Sequence, residues 1–165
     1  VHDRLAACWP DAKSLVVVRD PISTIRSIVE RLGIPGDADA RAVDMTGDVP
    51  QAWRPVLDNR WLGVRSEHYI DQLADRWCIA AKLALEESDR RMTIRYEDFI
   101  LDKVRVLDAI ADHFELAVVA EIDAFLDVPF QPPGRRRDPK QVFGSNLERI
   151  TRRTASLAHR LGYQT

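Results

Sequence analysis

Hydrophobic and polar positions change period several times along the 165-residue chain, and each change marks an element. The run "SLVVV", Ser14 to Val18, is continuously apolar and β-branched, the signature of a strand covered on both faces in a parallel sheet. From Asp20 the period becomes helical. Asp20 suits the cap, Pro21 the first helical position, and Ile22, Ile25, Ile28, Val29 and Leu32 fall within about a 120° arc. Asp20, Ser23, Thr24 and Ser27 fall on the opposite side. A second amphipathic helix carries Ile70, Leu73, Trp77, Ala80, Ala81 and Ala84. "RMTIRY" reads as a strand ending at Tyr96, and "VRVLDAIADHFEL" as a helix with Leu107, Ile110, Ala111 and Phe114 on one face. The last helix runs through Leu147, Ile150, Thr154, Leu157 and Leu161 to a stop at Gly162. A short helix over Arg4–Trp9, stopped by Pro10, precedes the first strand.

Between these elements the pattern collapses twice. Residues 33–66 are rich in Gly, Pro and Asp, yet hold Trp53 and Trp61, so disorder is a poor description. The segment is either an excursion packed over a site or a structural anchor. "QPPGRRRDPKQVFG" reads as a Pro-rich link. Helices alternating with two strands, and no internal repeat, predict one α/β domain with a parallel sheet flanked by helices.

Composition narrows the function little. A net charge of −2 provides no basic field of the kind that gathers nucleic acid. The 20 arginines against 4 lysines suit oxyanion contact, although genome composition produces the same bias. Cys8 and Cys78 are unpaired in spacing and read as core thiols, in keeping with a reducing, cytoplasmic setting. No apolar run reaches membrane-span length. The start at Val1, without Met and almost at once in helix-like sequence, suggests a piece of something longer.

The seam between the first strand and its helix is the chemically unusual place. Ligands of open parallel sheets bind at the carboxyl ends of strands, and a helix N-terminus offers N–H groups to an anion. Arg19 stands at that end, and Ser27 lies one to two turns into the helix on its polar side. A guanidinium fork and a hydroxyl so placed could grip one phosphate. A solvated edge arginine is the competing reading. Asp20 is discordant there, and its expected work is capping the helix and steering Arg19. His2, His68, His113 and His159 show no paired acid at convincing spacing, so no catalytic base is nominated.

The residues "VVVRDPISTIRS" resemble the 3′-phosphate-binding motif of sulfotransferases, a strand ending in Arg with a Ser eight positions on. The "RYED-F" turn after the second strand and the closing "ERITRRTASLAHRLGY" are similar to later parts of that family. The resemblance implies a P-loop-like α/β fold, with 3′-phosphoadenosine 5′-phosphosulfate as sulfuryl donor and a small-molecule or glycan hydroxyl or amine as acceptor. It implies that Arg19 and Ser27 hold the 3′-phosphate and that Tyr96 lies near the adenine, where stacking would suit it; a core tyrosine is the alternative. Arg135, Arg136 and Arg137 stand where the family often has a second basic loop, but without its glycine pattern they read as a solvated charge run. The family's Lys/Gly/Ser/Thr-rich 5′-phosphosulfate loop does not occur in the chain. The stretch is therefore expected to be the C-terminal part of such a domain, inactive and aggregation-prone when expressed alone. An ATP-using P-loop kinase relative, or a non-catalytic nucleotide-binding module, are the rival readings.

Overall fold

Ser14–Val18 forms strand β1 and Arg91–Arg95 forms β2, paired in parallel from Ser14↔Arg91 to Val18↔Arg95. The computed structural model describes residues 7–39, 49–117, 119, 122–126 and 137–164. Two compact units emerge: Val1–Arg19 with Glu86–Arg136, and Asp20–Leu85 with Arg137–Thr165. The fold is mixed α/β, a small parallel sheet with flanking helices, as the sequence predicts.

Among the described residues of the first unit, β2 is followed by the helices α4 (Tyr96–Leu101), α5 (Lys103–Phe114) and α6 (Asp123–Leu126). Strand β2 stops at Arg95, one residue short of the expected end. Tyr96 instead opens α4, because no turn residue intervenes and Glu97 and Asp98 supply acidic first-turn positions that favour a helix start. Asp102 then caps α5, accepting from the Arg105 N–H at 3.1 Å. The expectation that "SLVVV" is covered on both faces fails at Val17. Successive strand residues face opposite ways, and Val17 is 54% exposed while Val18 is 4% exposed. Cys8, expected in the core, is exposed. Of the expected helix Arg4–Trp9 only the end falls among the described residues, with Ala7 and Cys8 helical.

The second unit is helical: α1 (Pro21–Leu32), α2 (Arg54–Leu57), α3 (Tyr69–Leu85), α7 (Pro139–Phe143) and α8 (Asn146–Arg160). The predicted apolar stripes meet here. Ile25 and Val29 from α1, Ile70 and Leu73 from α3 and Ile150 from α8 are fully buried in one cluster. Thr154 reaches the interior because its hydroxyl donates to the Ile150 carbonyl at 2.9 Å, which satisfies its polar group within the helix. Gly33 and Gly162, at φ 65 and φ 79, end α1 and α8 in the left-handed region that glycine adopts without strain.

Two local readings are revised. The supposed Pro-rich link contains α7, whose Val142 and Phe143 are buried; Asp138 caps it by accepting from the Lys140 N–H at 2.9 Å. His68 is not an ordinary helix residue. It precedes α3, and its Nδ1 accepts the Ile70 N–H at 3.2 Å. The described part of the 33–66 excursion behaves as an anchor on its own unit. Leu57 and Asn59 are buried, and the Asn59 side chain donates to the Val56 carbonyl at 2.9 Å and accepts from Arg76 at 2.9 Å. Among the described residues no helix is long and apolar enough to cross a membrane.

Candidate functional site

Parallel pairing sets the geometry of the seam. Val18 and Arg95 are the last register partners, so Arg19 and Tyr96 are the next residue on each strand, side by side at the two carboxyl ends. The Arg19 guanidinium lies over the Tyr96 ring, 4.9 Å from its centroid. This is a cation–π contact within the first unit, worth about 0.5–1 kcal/mol at an accessible position. Tyr96 is 38% exposed, which removes the core-tyrosine alternative. An arginine stacked on a ring keeps its N–H groups in the guanidinium plane, the fork that meets oxyanions bidentately. The arrangement therefore combines an aromatic platform with a planar cation at one edge of a parallel sheet.

Asp20 performs the capping expected of it. Its Oδ1 accepts the Ser23 N–H at 2.7 Å, and its carbonyl accepts the Thr24 hydroxyl at 2.8 Å. The start of α1 is thus stabilised by a carboxylate built into the chain. Ser27 lies in the second unit, the seventh residue of α1, exposed, its hydroxyl in no hydrogen bond among the described residues. Arg26, the residue before it, donates to the Arg137 carbonyl at 3.1 Å. Arg137 is exposed, in keeping with the solvated reading, while Arg135 and Arg136 lie outside the described residues, as does His2. His113 and His159 are in helices α5 and α8, and among the described residues neither forms an ion pair with an acid.

The sequence nominates Arg19 and Tyr96 separately and misses their contact. No spacing in the sequence encodes the parallel register that brings them together.

No family model and no curated protein matches the chain. A solved structure, the sulfotransferase domain from the curacin biosynthetic pathway, superposes on it with a TM-score of 0.54 at 19% identity, over 98% of this chain and 57% of that one. The chain therefore spans little more than half of that domain's length. The likeness is one of fold. The α/β arrangement is sulfotransferase-like.

Proposed function

We propose that this chain carries the 3′-phosphate-binding half of a sulfotransferase that uses 3′-phosphoadenosine 5′-phosphosulfate. The observation that carries the reading is the Arg19–Tyr96 stack at adjacent carboxyl ends of parallel strands. It fits a nucleotide bearing an extra phosphate: the ring offers a flat surface to a base, and the guanidinium offers two parallel donors to a phosphate. Ser27, with an uncommitted hydroxyl on α1, adds a third donor in this reading. The sulfotransferase-like fold supports it.

In the reaction so assigned, an acceptor oxygen or nitrogen bonds to sulfur as the bond from sulfur to the bridging phosphate oxygen breaks, and adenosine 3′,5′-bisphosphate leaves. What these residues contribute is orientation. Holding the nucleotide by its 3′-phosphate fixes the direction of the departing group. The acceptor is a small molecule or a glycan.

Calorimetric titration tests the reading. Arg19→Ala is expected to weaken adenosine 3′,5′-bisphosphate binding by about 1.5–3 kcal/mol, the scale of a hydrogen bond to a charged group, and Ser27→Ala by less. AMP, which lacks the 3′-phosphate, should bind the variants and the parent almost equally. Equal losses for both nucleotides would remove Arg19 from this role.

A further inference from the structure

Trp61 is 52% exposed, yet its indole is held in place from two directions. Its Nε1–H donates to the Pro55 carbonyl at 2.9 Å, and the Arg76 guanidinium from α3 lies over the ring, 5.6 Å from its centroid. The polar edge of the indole is therefore satisfied within the protein. What remains in water is apolar ring surface. A large side chain fixed in this way has lost rotamer freedom without the compensating gain of full burial.

Arg76 is the second half of the arrangement. Its Nη1 donates to the Asn59 side chain at 2.9 Å and to the same Pro55 carbonyl at 3.3 Å. Both acceptors are neutral. No carboxylate bonds to Arg76 among the described residues, and burial lowers its pKa with no acid acting against it. The guanidinium stays charged at neutral pH. A cation partly withdrawn from water without a counter-ion is a costly arrangement, which an anion would relieve.

The open part of Arg76 can be identified. Nε and Nη2 make no hydrogen bond among the described residues, and neither is one of the buried atoms left without a partner, so that edge faces water. It is the edge this chain uses to grip carboxylates elsewhere. Arg149 holds Asp71 through Nε and Nη2 at 3.1 and 2.7 Å, and Arg60 holds Asp58 through the same pair at 2.9 and 2.8 Å. On Arg76 the two parallel donors remain uncommitted beside the indole.

Local charge and donor count define what fits. Segment 54–67 carries Arg54, Arg60 and Arg65, which with Arg76 makes four arginines against two carboxylates, Asp58 and Glu67. Asp58 is already held by Arg60, and Asp75, next to Arg76 in the chain, by Arg153 at 2.8 Å. A cationic ligand would be repelled. A phosphate or sulfate presents three oxygens to a single edge of two donors, whereas a carboxylate presents two and matches it. The fixed indole beside that edge suits a flat apolar body.

We propose that Trp61 and Arg76 form a binding site for an aromatic carboxylate, whose acid group takes the Nε–Nη2 edge of Arg76 and whose ring lies against the indole. The site belongs to the second unit alone and does not depend on nucleotide binding at the seam.

Nitrogen–proton NMR of the whole chain tests it, following the Trp61 indole N–H and the Arg76 Nε–H. The probes are 2-naphthoate, 2-naphthylmethanol (the ring without the charge), acetate (the charge without the ring) and inorganic sulfate. Naphthoate is expected to shift both signals saturably at millimolar levels, and each of the other three to need at least about tenfold more. Arg76→Lys keeps the charge and loses the fork, so it should weaken naphthoate about fivefold and leave naphthylmethanol unchanged. Because Arg76 also braces Asn59, a second variant is made at the exposed position: Trp61→Leu, read from the Arg76 signal, should weaken naphthoate about fivefold while acetate is unaffected. The proposal is overturned if naphthoate gives no saturable shift, if naphthylmethanol, acetate or sulfate binds as well as naphthoate, or if Trp61→Leu binds naphthoate as the parent does.

Discussion

The Arg19 guanidinium lies 4.9 Å from the centroid of the Tyr96 ring, the first contact beyond the last register pair of a two-stranded parallel sheet. Each residue alone is unremarkable at a strand end. Together they form a cationic aromatic edge. In Tyr96→Phe the ring and the stack persist, so nucleotide affinity should be nearly unchanged. In Tyr96→Leu the platform is lost, and adenosine 3′,5′-bisphosphate should bind weaker by about 1–2 kcal/mol, combining base stacking and cation–π terms. Calorimetry on the two variants separates the ring from the hydroxyl.

Asp20 caps α1 with a carboxylate and directly follows Arg19 in the chain. Asparagine caps a helix about as well as aspartate. Asp20→Asn should therefore unfold at almost the parent temperature while binding the bisphosphate severalfold more tightly. Asp20→Ala should lose about 1 kcal/mol of stability. An unchanged affinity in Asp20→Asn would argue that the phosphate binds elsewhere.

Asp71 ties α3 to α8. It is 5% exposed and receives Arg149 at 3.1 and 2.7 Å and Arg153 at 3.0 Å. Burial alone would raise its pKa, but the hydrogen bonds from the two arginines outweigh burial and hold it below the ordinary value. A depressed carboxylate contributes stability that is fully present above the unfolded pKa, about 3.9, and is lost as pH falls through the folded value. Urea unfolding should therefore weaken steeply between about pH 4 and the folded pKa. Asp71→Asn should be less stable at pH 7, by about 1.5–3 kcal/mol, and should show a flatter acid limb.

Gly36 is demanded by close approach rather than by backbone angle. A Cβ built there meets the Val142 carbonyl oxygen at 2.5 Å, and that oxygen belongs to helix backbone that cannot swing aside. Gly36→Ala should cost about 1–3 kcal/mol in a urea melt through overpacking. Gly33→Ala meets no neighbouring atom, and its cost should come from the left-handed φ of 65° alone.

Much of this architecture was legible in the chain, because local chemistry dictates it. β-branched continuity marks "SLVVV", an Asp-Pro pair marks the start of α1, glycines end α1 and α8, and the 3.6-residue stripes select the side chains that meet in the second unit. Arg19 and Ser27 could be nominated by position, and Tyr96 by the resemblance to sulfotransferases. Tertiary structure decided what sequence spacing cannot encode. Register brought Arg19 onto Tyr96, and the packing of Phe143 turned an apparent link into a helix. Asn59, in the described part of the excursion, found partners on α3. His68 left the class of ordinary helix residues because its neighbours in space bury it and occupy its Nδ1. Periodicity reports which face of an element avoids water; partners in space determine which polar atoms on that face remain available to a ligand.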